Sequence, residues 1–307
     1  MSPDHFIAIF ASTVIAATPL IYAALGELVV ERAGVLNLGV EGMMLVGALT
    51  AFAVGHASGN LFVGYVAAML ASVALSLLFA FLTLTLQTNQ VATGLALTLF
   101  GIGLSAFIGR SFAGLPIDGL DPLSIPVLST LPVIGALFHF DWLVYGSIVL
   151  YFAVDRFLKR SRAGLSVRAI GESPSAAHAL GQPVIRTRYF AVMFGGATSG
   201  IAGAYLSTAL TPMWVEGMSA GRGWIALALV VFATWKPLRV LLGAYLFGGV
   251  TVLQLHAQAL GVNVPSEILS MLPYVATIVV LVLICRDPRT ILLNQPASLG
   301  KSFHPDA

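Results

Sequence analysis

The chain has 307 residues, 58% of them hydrophobic and only 9% charged, with a mean hydropathy of +0.94. A soluble domain carries about 25% charged residues; this chain has too few to cover a water-facing surface, so most of it must face lipid or other apolar helices. The formal net charge of +2 points to no nucleic-acid partner, and the single cysteine, Cys285, excludes a disulfide within the chain and a cysteine-based metal site.

Crossing a hydrocarbon core of about 30 Å takes about 20 helical residues. Nine runs reach or approach that length: 6–25, 41–57, 61–86, 91–112, 141–158, 188–210, 223–236, 239–257 and 271–285. The seventh and ninth are short, so the expectation is an all-α polytopic bundle of about eight to ten spans. It forms a single transmembrane domain over 1–307, with no soluble domain left over. The first run follows Met1–His5, which lacks the basic start of a signal peptide, and is read as a retained first helix.

Lys and Arg set the expected orientation. Arg156, Lys159, Arg160, Arg162, Arg168, Arg186 and Arg188 sit in or beside one loop, Lys236 and Arg239 mark another, and Arg286, Arg289 and Lys301 mark the tail. With these inside, all but Arg110 and Arg222 of the 15 basic residues fall on the cytoplasmic side, as does the C-terminus. The loop 113–140 has Asp118 and Asp121 but no Lys or Arg, as an outside loop should.

Three stretches interrupt the apolar pattern. In 26–42, Glu27, Glu31, Arg32, Asn37 and Glu41 alternate with apolar residues and glycines. Ionisable groups and irregular backbone at membrane depth are tolerated where protein or a water-filled path covers them. Two readings stand: a broken or re-entrant helix lining a solute path, or a cytoplasmic turn. The path reading is favoured for Asn37 and Glu41, which lead into the second run. In 211–224, Pro212 and three glycines break the pattern and Trp214 and Trp224 suit an interface, as in a short outer re-entrant turn; Glu216 and Arg222 could pair there or meet a solute. The third is the basic loop 159–187. Within it Ser173 can cap a helix, Pro174 fits its first position and Gly181 fits just past its end. The enclosed helix, Pro174 to Leu180, is too short to stand alone in water. Its face of Ala176, Ala177 and Leu180 must bury against either its own bundle or a soluble partner.

Gly195, Gly196, Ser199, Gly200 and Gly203 make overlapping small-xxx-small steps suited to close helix packing in lipid, with Gly243, Gly248 and Gly249 doing the same later. Two motifs mislead. Gly217–Gly221 spells G-x-S-x-G, but no strand–turn–helix context exists for a nucleophile elbow. Gly300-Lys301-Ser302 resembles the end of a phosphate loop, but Gln295 stands where its first glycine is needed. No cofactor, metal site or catalytic set is expected.

The stretch Glu31 to Met43 (ERAGVLNLGVEGM) resembles the permease subunits of ABC importers in the branched-chain amino acid and simple-sugar class, especially the subgroup serving nucleosides and related solutes. Arg168–Ala177 with Gly181 is similar to that class's cytoplasmic coupling segment, and Gly217–Leu229 is a third match. Gln182-Pro183 departs from the family, which more often has an apolar and then a small residue there. The resemblance implies a multi-pass plasma-membrane protein (the inner membrane in a bacterium), surrounded by membrane lipid and without an ATPase site of its own. It implies as partners an ABC ATPase subunit, a second permease subunit, often making a heterodimer, and an extracytoplasmic substrate-binding protein or lipoprotein. The solute would be small and neutral, a nucleoside or simple sugar. By the same resemblance Gly171, Glu172, Ser173, Pro174, Ala176, Ala177 and Gly181 would couple to the ATPase. Asn37, Glu41, Asn89, Thr93 and Trp214 are the candidate substrate path. The alternatives are an ion-coupled secondary carrier, which would more often place ionisable residues in mid-span, and an intramembrane serine protease built on Ser219 and His256.

Overall fold

A computed structural model of the chain describes residues 3–124, 139–259 and 294–304, with isolated positions between 265 and 282. The described helices are α1 (Pro3–Arg32), α2 (Val40–Ser58), α3 (Leu61–Ala80), α4 (Gln90–Gly109), α5 (Trp142–Arg160), α6 (Arg162–Glu172), α7 (Pro174–Ala179), α8 (Val184–Tyr205), α9 (Arg222–Phe232) and α10 (Pro237–Ala259). A π-helical turn extends α3 through Phe81–Thr85, and another extends α8 through Leu206–Leu210. Two short strands, β1 (Leu123–Ser124) and β2 (His139–Phe140), pair antiparallel.

Among the described residues six helical segments are long and apolar enough to cross a membrane: Ile7–Arg32, Val40–Ser58, Leu61–Thr85, Gln90–Phe112, Val184–Leu210 and Pro237–Ala259. The 19 residues of α5 have the length too, but Asp155, Arg156, Lys159 and Arg160 make its last turns polar. The expected seventh span is a half-helix: α9 has 11 residues, about 16 Å at 1.5 Å per residue. The ninth run, 271–285, falls largely outside the described residues.

Packing follows the small residues. Apolar burial drives helices together weakly when the solvent is itself apolar, so close backbone approach and van der Waals contact decide. A Cβ on Gly47 of α2 would stand 2.7 Å from the Gly200 Cα of α8, and one on Gly200 would stand 2.6 Å from the Ala68 carbonyl oxygen of α3. At Gly203 it would run into the Met44 carbonyl, and at Gly195 into Val30 of α1. The glycine face of α8 is therefore wedged among α1, α2 and α3. Gly101 of α4 meets Gly42 of α2 in the same way, and Gly248 of α10 meets Thr13 and Ala17 of α1. The outer helices α3, α4 and α10 turn large apolar side chains outward, Leu70, Leu99, Phe107 and Leu253 among them, as a lipid-facing surface requires.

The first interruption is shorter than the sequence suggests. Residues 26–32 continue α1, a helix of 30 residues, and only 33–39 leave helical geometry. Glu27 and Glu31 are buried in the last turns of α1 rather than lying in a loop. Each carboxyl has one oxygen hydrogen-bonded, while Glu27 Oε2 and Glu31 Oε1 are buried with no hydrogen-bond partner among the described residues. The Asn37 amide donates to Glu27 Oε1 at 3.2 Å, and Trp235 Nε1 donates to Glu31 Oε2 at 2.5 Å.

Candidate functional site

The second interruption is the one that breaks a span. After α8 and its π turn, residues 211–221 run extended and turning before α9 begins. Trp214 is buried against Leu49 and Phe52, in the last turns of α2. Its ring occupies the space that a Cβ on Gly109 of α4 would need. A few residues later the chain has reached Glu41, in the first turn of α2. From Phe52 back to Glu41 is about 16 Å along that helix. Segment 211–221 thus runs beside α2 from its second half back to its first turn, where α9 begins.

Glu41 holds the junction. Its Oε1 accepts hydrogen bonds from the Ser219 hydroxyl (2.5 Å) and the Gly221 amide (2.9 Å), and its Oε2 accepts one from the Gly223 amide (2.6 Å). Gly221 is the N-cap of α9 and has no side chain with which to cap it. The first amides of a helix are unsatisfied within the helix and carry its positive dipole end; here a carboxylate from α2 satisfies them. Gly221 has φ +79°, a backbone that glycine adopts without strain. At Gly223 a Cβ would sit 2.6 Å from the Glu41 Cα, so any side chain would push the carboxylate out of place.

α9 ends at a second restrained turn. Thr234 and Trp235 have φ of +49° and +53°, which costs non-glycine residues on the order of 1–3 kcal/mol each. Arg32 donates to the Trp235 carbonyl at 2.9 Å, Glu31 accepts from its indole, and Arg239 donates to the Thr234 hydroxyl at 2.6 Å.

The proposed path residues separate into three places. Asn37 and Glu41 are buried where α2 starts; Asn37 Oδ1 accepts from the Gly39 amide at 3.0 Å. Trp214 lies at the other end of α2, and its indole Nε1 has no hydrogen-bond partner among the described residues. Asn89 caps α4 by accepting from the Ala92 amide at 3.0 Å, and the hydroxyls of Thr93 and Thr88 are 2.9 Å apart on the same outward side. Sequence reading missed the partners of Glu41, namely Ser219, Gly221 and Gly223. The available signal was an acid leading into an apolar run and a glycine-rich turn elsewhere in the chain.

The basic end of the bundle carries a second assembly. Ser173 caps α7, accepting from the Ala176 amide at 3.3 Å. Gly181, at φ +79°, closes it, with amides of Gly181 and Gln182 donating to the carbonyls of His178 (2.8 Å) and Ala177 (3.0 Å). The helix is six residues, Pro174–Ala179, with Leu180 as its last cap. Of the expected apolar face only Ala177 is buried, against Ile170, Val184 and Phe303; Ala176 is exposed, and Leu180 is 82% exposed. Gly171 is buried where a Cβ would strike the Arg32 carbonyl, while Glu172 is exposed. Arg188 is no loop charge: inside α8 and 1% exposed, it donates to the Ala33 carbonyl (3.0 Å), the Ser298 hydroxyl (3.1 Å) and the Lys301 carbonyl (3.4 Å). Ser298 in turn donates through its amide (2.9 Å) and hydroxyl (2.7 Å) to the Gly171 carbonyl.

A polytopic helical bundle with a broken span and a capped helix at its basic end is a permease architecture, and comparison with known sequences identifies it. The sequence profile of the family described as branched-chain amino acid transport system / permease component matches residues 9–283. The chain belongs to that family. The permease is 43% identical to a putative glucose ABC transporter permease protein of Haloferax volcanii, over 95% of this chain and 96% of that one. It is 32% identical to a nucleoside ABC transporter permease protein of Lactococcus lactis subsp. cremoris, over 90% of this chain and 91% of the relative. It is also 32% identical to a guanosine ABC transporter permease protein of Bacillus subtilis, over 88% and 89%.

Neither misleading motif has a catalytic setting in the permease. The Ser219 hydroxyl donates to Glu41 rather than to a histidine. Gly300 sits in a turn, its amide donating to the Gly34 carbonyl at 3.3 Å, and residues 301–304 after it are not helical. Among the described residues no group of three His, Cys, Asp or Glu side chains could hold a metal ion.

Proposed function

We propose that the permease moves a small neutral solute, a nucleoside or simple sugar, inward across the plasma membrane, paired with a second permease subunit and surrounded by lipid. ATP hydrolysis belongs to a separate subunit at the basic, cytoplasmic end, where the C-terminus also lies; a substrate-binding protein or lipoprotein delivers solute at the other. The observation that carries the neutral-solute reading is the Glu41 cap. In transporters built on broken helices, half-helix N-termini commonly face anionic solute groups. Here that position is filled by the chain's own carboxylate, so an uncharged solute fits the path beside it. The names of the three relatives, two nucleoside-type and one sugar-type, support the same class. At the opposite end a groove of about 550 Å³, lined by His56, Asn60, Asp118 and Asp121 among others, suits a delivering partner.

The test is reconstitution. In liposomes, the permease with its ATPase and second permease subunits, and with binding protein added outside, takes up labelled nucleoside or sugar only when ATP is supplied on the ATPase side. The permease alone hydrolyses no ATP. Uptake by this chain alone under an ion gradient would instead make it a secondary carrier, and peptide cleavage lost on Ser219→Ala would make it a protease.

Coupling has its own test. Gly171 and Ala177 are buried, so a charge at either disturbs folding as well as docking. Leu180→Glu alters only an exposed side chain. It is expected to leave the amount of protein in the membrane unchanged while reducing ATPase co-purification and ATP-driven uptake together. Wild-type uptake by this variant would remove α7 from the docking surface.

A further inference from the structure

The tail after the last predicted span is a structural part of the region around α7. Ser298 is tied to Gly171 and Arg188, and Gly300 to Gly34. Phe303 is buried in the cluster that carries Ala177; its ring meets His178 edge-on at 5.6 Å, and its carbonyl accepts from Gln87 Nε2 at 3.3 Å. A segment held at Ser298, Gly300 and Phe303 presents its remaining side chains in fixed directions. Those side chains, Lys301, Ser302 and His304, are exposed.

Two grooves flank α7, and the tail walls both. One, of about 400 Å³, runs between Glu172, Ser173 and Ser175 on one side and Lys301, Ser302 and His304 on the other. The second, of about 340 Å³, lies between Phe303 and the residues just after α7, with Gln182 and Arg186 in its wall. Leu180, the C-cap of α7, is a large apolar side chain left 82% exposed at the polar end of the bundle. An exposed apolar side chain on α7, with Arg186 in the wall of one groove and Lys301 facing Glu172 in the other, fits a soluble partner that offers an apolar socket and acidic groups.

We propose that the ATPase subunit docks on a two-part surface formed by α7 and the tail residues Lys301, Ser302 and His304, not on α7 alone. This rests on the reading of α7 as the coupling helix. The tail forms the second wall of the contact and, through Ser298 and Arg188, is tied to Gly171 and to Ala33 at the end of α1.

The experiment uses the assembled transporter in membranes. In a Cys285→Ser background, Ala176→Cys and Ser302→Cys are introduced separately, both at exposed positions. Each is labelled with a cysteine-reactive, photoactivatable cross-linker, and the ATPase subunit is probed for covalent capture. Capture from both positions, lost when the ATPase subunit is omitted, is the expected result. Capture from position 176 alone overturns the tail's part and leaves α7 docking standing. Capture from 302 alone, or from neither while the ATPase still co-purifies, overturns the two-part surface and the α7 reading with it.

Discussion

Replacing Glu41 with alanine is expected to abolish uptake and to lower stability by about 1–3 kcal/mol for each buried donor left without an acceptor. The carboxylate accepts three hydrogen bonds, from Ser219, Gly221 and Gly223, and two of the donors are backbone amides at the start of α9. Without it those amides stay buried with no intrahelical acceptor, because Gly221 and Gly223 are too early in the helix to have one. Glu41→Gln keeps one acceptor oxygen but turns an amide N–H₂ toward another donor, so its cost is lower, about 1–3 kcal/mol. The checks are thermal unfolding of the purified permease and ATP-driven uptake in the reconstituted transporter. A solute-binding role would give a different pattern: Glu41→Gln would raise the apparent KM and leave the unfolding temperature where it was. An alanine variant with wild-type unfolding and uptake would discard the cap altogether.

The second large effect is expected at Arg188. Its guanidinium donates to Ala33, Ser298 and Lys301, and hydrogen bonds from charged groups are worth about 1.5–3 kcal/mol each. Arg188→Met keeps the volume and loses all three donors, so the tail should detach from the bundle. Limited proteolysis is expected to cut after residue 294 in the variant and not in the wild type, with a lower unfolding temperature. Arg188→Lys should fall between them, since one ammonium cannot reproduce the spread of a planar guanidinium. An uncut tail in Arg188→Met would mean that Phe303 and Ser298 hold it without help.

Much of the fold is legible from hydropathy because lipid imposes a simple rule: backbone groups must be satisfied within each span, so spans are long apolar helices. The small-residue steps of α8 also foretold their use, since Gly196, Gly200 and Gly203 let α2 and α3 approach closely. The α7 caps at Ser173 and Gly181 were readable for a related reason; capping is local, within a few residues of chain. The break at 26–42 was overdrawn. A Glu in an apolar run looks the same whether it ends a helix or is buried with a partner 204 residues away, as Glu31 is with Trp235.

By itself the sequence determined membrane residence, most of the helices, the basic end and the capped short helix, all properties of composition or of neighbours along the chain. It also carried the family resemblance through three motifs. Only the tertiary structure decided what the interruptions do. It made 211–232 a half-extended, half-helical element, with Glu41 of α2 as its cap. It turned Arg188 from an apparent surface charge into a buried clamp, and it folded the tail under α7. Each of these depends on which side chain meets an unsatisfied backbone group across the bundle. A linear pattern has no term for a partner 180 residues away.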